Sequence, residues 1–147
     1  MYIYKAFSSP DELADFLNGA IFSNPLPATV FGLHGLTVVI NNGSSDKTTT
    51  FADATGAGLK PAQILAQIHA TDATMSKVML RSYGQAPQRS VLVLAEASYA
   101  TKAGTANAIL GLPSGTSSVT AITKTNIVWV TASISGNPRY DVLYVTA

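Results

Sequence analysis

The chain has 147 residues, 47% of them hydrophobic and only 12% charged, with a formal net charge of +1 and no cysteine. That length fits one domain, or a domain with a small appendage, and allows a real core; the hydrophobic share argues against disorder. Without cysteine there are no disulfides, thiolate nucleophiles or Cys-based metal sites, and without a run of Lys or Arg there is no electrostatic footprint for nucleic acid.

In chain order, Tyr2 to Phe7 favours a strand through its aromatic and β-branched residues. A first helix follows, with Ser9 as N-cap, Pro10 at the first helical position and Glu12 completing a capping box. Leu13, Phe16 and Leu17 give it one apolar face, and Gly19 stops it. Asn24-Pro25-Leu26-Pro27 is a connector, because each proline forces its predecessor into extended geometry. Leu36, Val38 and Ile40 alternate with Thr37, Val39 and Asn41, the pattern of a mostly buried strand. Asn42-Gly43 supplies a hairpin turn that Ser44 to Asp46 lengthen, and Thr48 to Phe51 returns as the partner strand.

A second helix of about three turns starts at Pro61 and buries Ile64, Leu65 and Ile68; a helix this short depends on packing. Val78 to Tyr83 and Val91 to Ala95 read as strands separated by Gly84 to Gln88. A third helix is signalled by Thr105 as N-cap, Ile109 and Leu110 as its apolar side and Gly111 as its stop. Pro113 to Ser118 is a loop of turn formers. Val119 to Ile122, Ile127 to Ile134 and Tyr140 to Val145 close the chain as strands, with Gly136-Asn137-Pro138 turning the last two into a hairpin.

The expected fold is therefore α+β and β-rich: antiparallel sheets, sandwich- or barrel-like, with two or three short helices. It forms a single domain, 1–147, divided into an N-terminal strand and helix arm (1–28), a hairpin-helix module (29–113) and C-terminal strands (114–147). No stretch approaches the roughly 18 apolar residues of a membrane span. Met-Tyr-Ile-Tyr-Lys-Ala-Phe lacks a signal-peptide layout, so the expectation is synthesis in a cytoplasm and no membrane partner. A charged share about half the usual one implies a surface of Ser, Thr, Asn and Ala, or one buried against other subunits.

Groups able to do chemistry are sparse. His34 and His69 lie in different elements, with no carboxylate cluster nearby to complete a metal site. His34 reads as a turn or interface residue, and His69 suits the helix end, where a cation favours the dipole. Asp11 and Asp15 share a solvated helix face, and Glu96 ends an apolar strand without an acid or base partner. Gly56-Ala57-Gly58-Leu59-Lys60-Pro61 has the look of a phosphate-binding loop but lacks the Gly-Lys-Ser/Thr ending, and Pro61 removes a backbone donor. Asn42-Gly43-Ser44 formally matches a glycosylation acceptor and is better explained as a turn. The reading is non-enzymatic, with no catalytic, metal or cofactor residues.

Aromatic residues near the ends form a separate constellation. Ile127 and Trp129 alternate against Val128, Val130, Ala132 and Ile134; Tyr140 and Tyr144 alternate against Leu143 and Val145; Tyr2 and Tyr4 repeat the pattern at the other terminus. On an outer face, Tyr2, Tyr4, Trp129, Tyr140 and Tyr144 would make an interface patch. On a sheet covered from both sides they would be core, and the alternation alone does not choose.

Three further stretches resemble structural proteins of tailed-bacteriophage virions: Gly32-Leu33-His34-Gly35-Leu36-Thr37-Val38-Val39-Ile40 through Thr50-Phe51, then Ile64-Leu65-Ala66-Gln67-Ile68-His69-Ala70, then Gly104-Thr105-Ala106-Asn107-Ala108-Ile109-Leu110-Gly111-Leu112. The likeness covers roughly residues 30 to 113 and rests on order and spacing. It implies an assembly role: a capsid decoration (cement) protein, or a neck, tail or fibre-attachment component. The implied partners are copies of the chain itself, as a homo-oligomer, and major capsid or other virion proteins; the implied location is the virion. No catalytic residue transfers with it. A small carbohydrate-binding module, stacking sugars on Trp129 and the tyrosines, is a further reading.

Overall fold

In the computed structural model, the structure describes residues 2–7, 20–83, 89–96, 98–113, 117–118, 127–134 and 137–145. The strands are β1 (Tyr2–Phe7), β2 (Ile21–Phe22), β3 (Thr37–Asn41), β4 (Asp46–Thr50), β5 (Val78–Tyr83), β6 (Arg89–Leu94), β7 (Ala100–Lys102), β8 (Ser117–Ser118), β9 (Ile127–Ile134) and β10 (Asn137–Val145). Helices α1 (Pro61–Thr71) and α2 (Asn107–Leu110) and a 3-10 turn (Ala73–Met75) complete the described elements. The strands form three sheets, ordered β1-β10-β9, β2-β6-β5 and β4-β3-β7-β8, and every pairing is antiparallel. The β-rich α+β expectation holds at that level. The first expected helix, the Gly84–Gln88 link and the Val119–Ile122 strand lie outside the described residues.

The β3–β4 hairpin shows how local chemistry sets the register. Gly43 takes a φ of +99°, which suits glycine. The Asn42 Oδ1 accepts the N–H groups of both Ser44 and Ser45, and the Asn41 Nδ2 donates to Asp46 Oδ1 at 2.7 Å. These bonds confine the loop to Asn42–Ser45, so β4 starts at Asp46 rather than Thr48. Phe51 falls just past the strand, 1% exposed. Along β3, Val38 and Ile40 are buried while Thr37, Val39 and Asn41 are half-buried, as the alternation requires.

Pro61 opens α1, and the Lys60 N–H donates to Gln63 Oε1 at 2.8 Å. Ile64 and Ile68 are buried as expected; Leu65 is only half-buried, against the same core. Asp72 ends the helix in extended geometry and accepts the Thr74 N–H to cap the 3-10 turn. One continuous core joins Val38 and Ile40 of β3, Val78 of β5, Leu92 and Leu94 of β6, Ile64 and Ile68 of α1 and Leu110 of α2. On the opposite side of β6, Val91 and Val93 are buried with Ala20 and Phe22 around them. Burial on both sides explains the uninterrupted apolar run there.

Three expectations need correction. Thr105 does not cap α2: the N-cap is Ala106, and Thr105 Oγ1 instead accepts the Thr37 N–H at 2.9 Å. Ile109 does not share the buried side of Leu110. It is 42% exposed while Leu110 is fully buried, because neighbouring helical residues point about 100° apart. The Pro113–Ser118 loop contains a strand, since Ser117 and Ser118 pair with Thr101 and Ala100. Gly111 does stop the helix, at φ +69°. Strands β2 and β7 carry no pattern long enough to announce them.

At the chain ends, β1 and β10 pair from Tyr2↔Val145 to Phe7↔Tyr140 without a break. The β9–β10 hairpin matches the expected terminal hairpin, except that Asn137 and Pro138 already belong to β10, opposite Ile134 and Ser133. The register slips twice, leaving an extra residue at Val128 in β9 and one in β10 between Pro138 and Asp141.

Candidate functional site

The β1-β10-β9 register places each of the five aromatic candidates. Tyr4, Leu143 and Trp129 are directly opposed across the three strands, with Tyr2↔Val145 on one side of that row and Ala6↔Asp141↔Thr131 on the other. Directly opposed residues of an antiparallel pair share a face, so Tyr2, Tyr4 and Trp129 occupy positions of one face. Tyr140 and Tyr144 occupy the other, opposite Phe7 and Ile3, with the row Lys5↔Val142↔Val130 between them. The five candidates are thus split three and two. Both faces carry aromatic or branched residues at most positions, and the extra residue at Val128 interrupts the simple alternation expected along β9.

A second apolar feature escaped the sequence pattern. Phe31 is 64% exposed and Ile109 42%, the large hydrophobic side chains most open to solvent among the described residues. They flank Gly32, whose added Cβ would meet Ile109 Cδ1 at 3.9 Å. The Phe31 ring lies over Gly58: a Cβ there would stand 3.0 Å from the ring carbons and 2.3 Å from Thr29 Cγ2. Phe31 is isolated in a loop with no periodicity, so only tertiary structure shows it exposed.

Both histidines and Asp53 bond within the scaffold. His34 Nδ1 accepts the Asp53 N–H at 2.9 Å, and His69 Nε2 donates to the Val78 carbonyl at 2.6 Å. In the glycine loop, Asp53 Oδ2 takes the Gly58 N–H and the Asp53 carbonyl takes that of Gly56. A carboxylate therefore stands where a phosphate would need open donors. The Glu96 carbonyl accepts the Tyr99 N–H. Burial pushes the Tyr99 hydroxyl above its ordinary value, opposed by its bond from the Lys77 N–H and reinforced by the Glu96 charge. The Thr74 hydroxyl and then its N–H hold the Asp72 carboxyl below the ordinary carboxylate value, with Lys47 Nζ 3.3 Å away adding to the shift. Among the described residues, no three His, Cys, Asp or Glu side chains converge as a metal site, and no helix is long and apolar enough to cross a membrane. Asp11 and Asp15 lie outside the described residues.

No protein-family model matches the chain, and no curated protein or solved structure matches it.

Proposed function

We propose that the chain is a non-enzymatic structural protein of a tailed-phage virion that decorates and stabilises the capsid through oligomeric subunit contacts. The observation that carries this reading is the terminal sheet, where the two chain ends pair into three strands with apolar and aromatic positions on both faces. A three-stranded sheet with apolar positions on both faces calls for a covering layer on each, which favours an assembly role.

The stretches that resemble virion proteins support the reading as scaffold. They meet through hydrogen bonds: Leu36 O accepts the Phe51 N–H, Gln67 bonds both backbone groups of Ala52, and Thr37 O accepts the Ala106 N–H. The layers are taken to form a sandwich, with β2-β6-β5 and β4-β3-β7-β8 contributing to a common core.

Co-sedimentation of the purified protein with capsids lacking it tests the proposal. Wild type binds, and Trp129→Ala folds but binds at least about tenfold more weakly, as for an aromatic interface anchor. Failure of wild type to bind overturns the reading. Copy number then separates lattice decoration, which scales with the capsomers, from a neck or tail component present in the small number of one ring.

A further inference from the structure

We infer that the outer edge of β9 is a self-pairing edge, joining a second copy of this chain about a twofold axis through Thr131. The inference deepens the assembly reading by naming the self-contact. Of the described edge strands longer than two residues, β1 carries Lys5, β4 carries Asp46 and Lys47, and β5 carries Arg81; β9, Ile127 to Ile134, has no charged residue and no proline. Charges and prolines are the usual means by which an edge refuses another strand. Among the described residues, β9 pairs with β10 alone.

The occupant that this edge selects is itself. An edge row of N–H and C=O groups is completed by another β-strand, and a charge-free edge has nothing with which to recognise a charged one. Antiparallel pairing of identical strands closes on a twofold, which uses the edge up and leaves no growing fibre. From Trp129 to Ile134, β9 has no extra residue. A twofold at Thr131 therefore sets Thr131 against its own copy, Val130 against Ala132 and Trp129 against Ser133. Each pair matches in polarity or sets a large residue against a small one, and a Thr–Thr pair is favourable between strands. The product is a continuous six-stranded sheet, β1-β10-β9 followed by its twofold mate.

The absence of cysteine makes the register directly testable. Directly opposed positions have Cβ atoms about 4.5–5.5 Å apart, close enough to relax into a disulfide. Thr131→Cys should therefore oxidise to a covalent dimer roughly tenfold or more faster than Val128→Cys, whose two copies would stand about 20 Å apart along the strand. Wild type should sediment as a concentration-dependent dimer. Thr131→Lys should weaken association by roughly tenfold or more by opposing two like charges, while Asp141, across from it in β10, gives the lysine a counter-charge that keeps the fold. Circular dichroism and thermal melting of each variant, with Thr131→Ser as the control that keeps both fold and dimer, separate lost pairing from lost structure. A wild type that stays monomeric over the concentration range, or cross-linking at position 128 as fast as at 131, overturns the inference. Capsid binding by a monomeric wild type overturns self-pairing alone; a dimer that ignores capsids overturns only the capsid reading.

Discussion

β4 and β9 are both edge strands closing a hairpin, yet their compositions are opposite. β4 is Asp-Lys-Thr-Thr-Thr, with Asp46 tied to Asn41, Lys47 reaching Asp72, and Thr49 buried against Thr71 through a 2.8 Å hydroxyl pair. Both of its charges and the buried Thr49 hydroxyl have partners inside the chain. β9 is Ile-Val-Trp-Val-Thr-Ala-Ser-Ile, with no charge to hold another strand off. An edge that needs no partner is built from polar side chains satisfied at home. An edge lacking them depends on something outside its hairpin.

Several variants would break or sharpen that contrast. The largest effect belongs to the core that supports β4: Ile64→Ala, at a fully buried position, should cost about 2–5 kcal/mol in chemical denaturation while leaving β9-dependent association intact in whatever fraction folds. Next is Gly104→Ala. Its Cβ would lie 2.6 Å from the Thr37 carbonyl oxygen, a backbone atom unable to swing aside, so a loss of about 1–3 kcal/mol is expected. Tyr99→Phe removes a hydroxyl that donates to the Thr74 carbonyl and accepts the Lys77 N–H; thermal melting should show about 1–2 kcal/mol lost.

Asp72 provides a pH signature. Its folded carboxyl titrates below the ordinary value because of Thr74 and Lys47. The stability it contributes is therefore full above the ordinary carboxylate range and is lost as pH falls below about 4 toward the lowered value. Melting temperatures of wild type and Asp72→Asn should differ near neutrality and converge in acid. The smallest structural change is the most pointed: Asp46→Thr with Lys47→Thr strips the charges from β4. If charge is what protects that edge, sedimentation should become concentration-dependent; a strictly unchanged profile would mean that β4 is protected by another feature.

Much of the central module was legible in the chain. Asn42-Gly43, Pro61 and Gly111 are backbone commitments, readable because few residues tolerate those geometries. The spacing of Val38 and Ile40, and of Ile64 and Ile68, marked buried positions because a strand or helix repeats at a known period. Failures arose where a distant partner outbid a local signal. Thr105 has an N-cap's chemistry, yet its hydroxyl accepts an N–H from Thr37, 68 positions away. β7 and β8 are too short to show a period and exist because β3 offers an edge to extend.

The five aromatic candidates mark the same boundary. Their alternation along each strand follows from the order of residues alone, as do the exclusion of cysteine chemistry and the lack of charge in β9. Which of them share a face depends on how the strands pair. Register is a contact between distant segments, here Tyr4 with Leu143 and Leu143 with Trp129, and a one-residue slip would exchange the faces. The sequence by itself determined the longer elements of the central module, its Asn42-Gly43 and Gly111 turns and the composition of each strand. Only the tertiary structure decided that the two chain ends lie side by side, that Tyr2, Tyr4 and Trp129 stand apart from Tyr140 and Tyr144, and that Phe31 and Ile109 are left facing solvent. Local periods say which residues alternate; pairing and packing between distant segments decide what they face.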